Sequence, residues 1–318
     1  MVRLAAYSRF LKSIAITTLV AALPAAQALT PAGPKRPATV PANYVITPFG
    51  YFAPNCVMHL AKGDVLLHDE QAIQHANGAS EKIPACAYAH YTADGQSISA
   101  DKPAVQPPDI SHAWIEYAGI TTTTAYGQIY GEWNVPPAPS TNDGQTVFLF
   151  NGLEDYNDVV TIIQPVLGWN SDYASAWGIA SWNCCESGTV VEAAPQPVSS
   201  GDHLEGYVFD NCSAGTKTCS SWDIVIYDVT NGKFSELLDT SNFGQTFNWA
   251  FGGVLEVYNI AQCGDYPAGG RVGFYAQELL NDKFVQLKPS WKVTNLSAGL
   301  TPQCSYGGTV PEQVVLSY

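Results

Sequence analysis

From Ser111 to the end of the chain, apolar and polar residues alternate in short runs and do not recur every three or four positions. Alternation with a period of two is the mark of strands, because successive side chains in a strand point to opposite faces. Gln145-Thr146-Val147-Phe148-Leu149-Phe150, Asp223-Ile224-Val225-Ile226-Tyr227 and Val254-Leu255-Glu256-Val257-Tyr258 are short runs rich in β-branched and aromatic residues. Turn-forming clusters separate them: Pro136-Pro137, Asn142-Asp143-Gly144, Ser200-Gly201-Asp202 and Asn231-Gly232. The last lies between two alternating runs and predicts a hairpin. Helical periodicity is weak, its best instances being around Gln71 and Gln277. The pattern predicts an all-β fold, a β-sandwich of two antiparallel sheets over residues 109–318, preceded by a small N-terminal module.

The first residues have a different pattern. Arg3, Arg9 and Lys12 precede an apolar stretch from Ile14 to Leu23, and Ala26-Gln27-Ala28 fits a small-residue cleavage site. Residues 1–28 therefore read as a signal peptide, which places the mature chain in a secreted or periplasmic location. Residues 29–43, rich in Pro, Ala and Thr, read as a linker, and 44–108 as the N-terminal module, a possible pro-segment. The eight cysteines all lie beyond the predicted cut, as suits an oxidising compartment. Cys56 with Cys86 and Cys212 with Cys219 are the pairs that spacing favours.

Charge narrows the partners. The chain carries a formal net charge of −14, and from Asp109 onward it has 22 acidic side chains against 6 Lys and Arg. That balance argues against nucleic acid and against anionic membranes. No spacing typical of a metal site stands out, no cofactor motif is present, and a monomer is the expectation. A GxSxG elbow is also missing, and only His203 among the six histidines lies beyond His112, so the large region lacks the usual general base.

Carboxylates and amides remain. Glu256 lies in an apolar run, sharing its strand face with Val254 and Tyr258. It fits an acid–base group and equally a paired structural glutamate. Gln164, in Thr161-Ile162-Ile163-Gln164-Pro165-Val166, shares its face with Ile162 and Val166. A buried amide needs partners, which either the fold or a substrate supplies.

Taken in order, several motifs resemble the eqolisins, a family of glutamic peptidases. They are Gly131-Glu132-Trp133-Asn134-Val135-Pro136, Asn151-Gly152-Leu153-Glu154-Asp155, Ile163-Gln164, Trp177 to Trp182, Ser200-Gly201-Asp202, Val229-Thr230-Asn231-Gly232 and Trp249 to Glu256. The resemblance implies a concanavalin-like sandwich acting on a protein or peptide substrate through a Gln/Glu dyad in acid, with Glu256 as general acid/base and Gln164 as oxyanion donor. It also implies a substrate groove, which Trp169, Tyr173, Trp177, Trp182 and Glu154 would line. Two departures stand out. The family's tryptophan lies three residues before its glutamate, whereas here Gly253 holds that place and Trp249 lies seven before. Pro165 follows the glutamine where the family has Thr or a small residue. A weaker likeness to the neprosins, which use two glutamates, would make Glu154 the second carboxylate. The alternative reading is a lectin-like carbohydrate-binding sandwich or a polysaccharide-active enzyme.

Overall fold

The computed structural model describes residues 36–67, 72–83, 85–99, 113–157, 161–184 and 188–318. The predicted signal peptide with its cut site and the predicted boundary at 108/109 lie outside these residues. The described residues belong to one compact unit, 31–318.

The alternating runs form strands, and the strands form two large sheets. One has eight strands, in the order Lys233–Thr240, Trp222–Asp228, His203–Asp210, Tyr126–Asn134, Arg271–Asn281, Val314–Ser317, Gly307–Thr309, with Gln286–Leu287 beside the fifth. The other runs Lys292–Asn295, Trp114–Thr121, Trp249–Tyr258, Thr146–Glu154, Ile162–Trp169, Trp177–Cys184, Val190–Glu192, Val57–His59, with Gln196–Val198 beside the sixth, making nine. Pairing is antiparallel except at one place, where Val57–His59 runs parallel to Val190–Glu192. The fold is an all-β sandwich, and helical turns among the described residues are short, as at Pro54–Cys56 and Cys263–Asp265. Gln277, expected in a weak helix, lies in the Arg271–Asn281 strand. The strand is held on one side by Tyr126–Asn134 and on the other by Val314–Ser317 and Gln286–Leu287.

Between the sheets lies a core of Ile129, Trp133, Leu149, Leu167, Ile179, Leu204, Ile226, Leu255 and Phe274, among others. The nine-stranded sheet has a second apolar layer on its outer face. Trp114, Phe148, Phe150, Ile162, Val166, Trp182, Trp249, Phe251, Val254 and Tyr258 form it together with Val40 of the expected linker and Phe49, Tyr51, Phe52 and Val57 of the N-terminal module. A sheet face this apolar is covered in a folded protein, and here the module covers it. The hairpin that does so pairs Val45–Thr47 with Gly50–Phe52, turning at Pro48 and Phe49. Gly50 holds φ at +123°, and a Cβ there would meet the Tyr91 carbonyl oxygen at 2.4 Å, so only glycine fits this turn.

The predicted hairpin at Asn231-Gly232 is present, Asp228 pairing with Lys233 across it and Gly232 at φ +68°. The pairs Cys56–Cys86 and Cys212–Cys219 are disulfides, and Cys263–Cys304 is a third. Disulfides suit an oxidising compartment. No helix among the described residues is long and apolar enough to cross a membrane.

Candidate functional site

Strand alternation puts Gln164 and Glu256 on the same outer face of the nine-stranded sheet, under the N-terminal module. Gln164 is fully buried between Ile162 and Val166, as the sequence pattern predicts. Its Nε2 donates to the main-chain carbonyl of Pro48 at 3.0 Å, at the tip of the covering hairpin. Its Oε1 has no hydrogen-bond partner among the described residues.

Glu256 is also fully buried, between Val254 and Tyr258. Register sets its distance from Gln164. Glu256 pairs with Phe148, and Phe148 with Gly168, four residues along the strand from Gln164. Two strands across and four residues along amount to a Cα separation of about 16 Å. The dyad that the resemblance implies is therefore not in direct contact. Glu256 Oε1 instead accepts the Tyr258 hydroxyl at 2.7 Å, and the Trp114 indole donates to the same carboxyl. Burial pushes its pKa well above the usual carboxylate range, and those two donors only partly offset the rise. The hydroxyl of Tyr258 also receives the Gly50 N–H, so this pair grips the hairpin close to where Gln164 does.

The carboxyl that register places nearest Gln164 is Glu154. It pairs with Ile162, the face neighbour of Gln164, which makes Glu154 and Gln164 diagonal neighbours about 7–8 Å apart. Long side chains reach each other over that distance. Glu154 is fully buried, and neither carboxyl oxygen has a hydrogen-bond partner among the described residues. Burial first, and the charge of Asp155 second, push its pKa well above normal. Between the two strands Gly152 keeps the surface low beside Gln164. A Cβ there would meet the Ile163 carbonyl oxygen at 2.6 Å and the Phe251 ring at 2.7 Å.

On the other side of Gln164 a row of cross-strand partners runs Gln164, Trp182, Glu192, His59. Glu192 was not singled out from the sequence. Its signal was the one that marked Glu256, a lone glutamate in an apolar run, Val190-Val191-Glu192-Ala193-Ala194. Its carboxyl hydrogen-bonds that of Asp172, and burial together with this second acid pushes its pKa up to about 11. His59 Nδ1 also contacts Glu192.

The expected groove aromatics divide. Trp182 lies on the outer face beside Gln164. Trp169 and Trp177 do not. They belong to the core between the sheets, where their rings pack edge to face at 5.4 Å. The reason is the period of two, since Trp169 is five residues from Gln164 and so points the opposite way. Tyr173 is half-buried in the loop over Gly178, and its hydroxyl donates to the Pro195 carbonyl at 3.1 Å. All eight tryptophans of the chain are buried, which removes the surface tryptophans that a sugar-binding face would use.

No family model matches this chain, and no curated protein matches it either. Among solved structures, SCP-B, a member of the eqolisin family of peptidases in complex with the tripeptide Ala-Ile-His, is 15% identical, with a TM-score of 0.46 over 64% of this chain and 98% of that one. Scytalido-glutamic peptidase with a peptide-based transition-state analogue is 14% identical, with a TM-score of 0.47 over 64% of this chain and 98% of that one. A galectin from Xenopus laevis is 10% identical, with a TM-score of 0.25 over 46% of this chain and 96% of that one. The likeness of this chain to the eqolisin structures is a distant structural one.

Proposed function

We propose that this chain is an exported endopeptidase of the glutamic type, acting in acid at the covered face of the nine-stranded sheet. The observation that carries the proposal is the Gln164 amide donating to a main-chain carbonyl, that of Pro48. A neutral amide aimed at a peptide carbonyl is the arrangement an oxyanion donor needs, because the bond strengthens as negative charge grows on the oxygen.

Glu154 is the acid–base group in this reading, being the carboxyl nearest Gln164 by register. While the module covers the face, burial holds Glu154 neutral. Once water enters, its ionised form takes a proton from the attacking water as the C–O bond forms. The same proton then passes to the amide nitrogen as the C–N bond breaks. A carboxyl in this role works best in mildly acidic medium. Glu256 keeps a supporting place, holding Tyr258. The N-terminal module is a mask over this face, its hairpin tip seated on Gln164 and its Val57–His59 strand on the sheet edge.

The test is casein digestion between about pH 3 and 5 in the presence of pepstatin, by the wild-type chain and by Gln164→Ala, Glu154→Gln and Glu256→Gln. Loss of turnover by about 100-fold or more in the first two is expected. Activity that survives Glu154→Gln but not Glu256→Gln would move the acid–base role to Glu256. Absence of digestion by the wild type, also after limited proteolysis of the module, overturns the proposal.

A further inference from the structure

A peptidase reaction centred on Gln164 and Glu154 leaves the Glu192 carboxyl unused, though it is fully buried and lies in the same cross-strand row. Its surroundings show what it meets. Asp172 hydrogen-bonds it from the loop over the sheet. Two acidic side chains thus meet at the edge of the sheet. Facing them is His59, whose side chain remains 60% exposed while its Nδ1 touches Glu192.

His59 arrives there as part of a strand. Val57, Met58 and His59 pair in parallel with Val190, Val191 and Glu192, and the next residue continues the contact, the Leu60 N–H donating to the Glu192 carbonyl at 2.8 Å. The module thus adds a strand to the open edge of the sheet, a mode of peptide recognition in which the main chain supplies affinity and the side chains supply selectivity. Here the side chain placed over the two acids is an imidazole, its Nδ1 on Glu192.

We infer that the Val190–Glu192 edge is a substrate subsite that takes an extended peptide as an added strand and selects a basic side chain at the position His59 occupies, through Glu192 and Asp172. The inference rests on the peptidase reading and gives it a substrate class: peptides with Lys, Arg or His at that subsite. Glu192 is the specificity determinant, and Asp172 is a positioning residue that acts through it. A cation at this place meets two carboxyl groups in a partly desolvated setting, where a hydrogen bond to a charged group is stronger than in water.

Two measurements decide the matter. In the first, the full chain cleaves fluorogenic peptides that differ only in carrying Lys, Arg, His or norleucine at one position, scanned along the peptide. At one position the basic peptides are expected to exceed norleucine by about tenfold or more in kcat/KM. Glu192→Gln should abolish that preference, bringing kcat/KM for the basic peptides down to that of the norleucine peptide measured with the same variant. Equal cleavage of all peptides by the wild type, or a preference that persists in Glu192→Gln, overturns the inference while leaving the peptidase reading intact.

The second measurement needs no catalysis, so it decides the subsite even if no peptide is cut. It follows amide hydrogen exchange of residues 57–60 in the full chain at acid pH. His59→Leu should speed exchange there by about tenfold, and His59→Lys should leave it near wild type. The difference between the two should vanish when Glu192 is also changed to Gln. Equal exchange in His59→Leu and His59→Lys overturns the inference.

Discussion

The side-chain amide of Gln164 donates to the carbonyl of Pro48, a residue 116 positions earlier in the chain, across 3.0 Å of an otherwise apolar sheet face. That bond joins the covering hairpin to the face it covers. It answers where the partner of a buried glutamine comes from, since here the fold supplies it. It also shows that the site can hold a peptide carbonyl.

If the hairpin masks the site, loosening it should raise activity. Tyr51 and Phe52 are fully buried against this face, Tyr51 edge-on to Tyr258 at 5.3 Å. Truncating a buried aromatic ring costs about 3–5 kcal/mol of local packing. Tyr51→Ala is expected to increase the initial rate of casein digestion at acid pH several-fold, measured before any processing of the chain. A lower rate would show that the hairpin supports the site and does not mask it.

Stability should favour acid. Burial raises the Glu116 carboxyl to about 7, Asp210 to about 6 and Glu192 to about 11, from ordinary values of 4.5, 3.8 and 4.5. Between the ordinary and the raised value, the native state holds a proton that the unfolded chain releases. Stability therefore falls as pH rises through that window, beginning near pH 4 and continuing past 7. Urea midpoints measured from pH 4 to 8 should decline, and Glu116→Gln should flatten the part between about pH 4.5 and 7. A midpoint that rises over this range contradicts the assignment.

The disulfides should differ in what they contribute. Cys263–Cys304 spans 41 residues, whereas Cys212–Cys219 spans 7. On the chain-entropy account, opening the first costs about 4 kcal/mol and the second about 2–2.5 kcal/mol. Denaturant titration of Cys263→Ser/Cys304→Ser beside Cys212→Ser/Cys219→Ser should reproduce that order. The reverse order would show that native-state packing, not loop closure, dominates.

Gly152 should resist substitution for lack of space. A Cβ at this position lands within 2.6 Å of the Ile163 carbonyl oxygen and 2.7 Å of the Phe251 ring. Backbone cannot yield as a flexible side chain would, so Gly152→Ala is expected to cost about 1–3 kcal/mol, read as a lowered melting temperature. The shift of the strand beside Gln164 should reduce turnover as well. A melting temperature equal to wild type would mean that the sheet relaxes around the added methyl.

The strand faces of Gln164 and Glu256, the hairpin at Asn231-Gly232 and the Cys212–Cys219 pair were legible in the sequence, because each depends on residues close together in the chain, and Cys56–Cys86 because residues 29–108 hold no other cysteine. Alternation assigns a side chain to one face or the other without knowledge of any neighbour. What alternation does not contain is register and strand order, which are set by pairing between segments far apart. Only the tertiary structure decided that Glu154 is a diagonal neighbour of Gln164 while Glu256 stands about 16 Å away. Register likewise brought Glu192 into the row of Gln164 through Trp182. The inward course of Trp169 and Trp177 was within reach of counting from Gln164, but a groove made of aromatics hid it. The Pro48 carbonyl had no local signal at all. A backbone oxygen looks the same at every residue, and only the docking of the hairpin placed this one on the amide of Gln164.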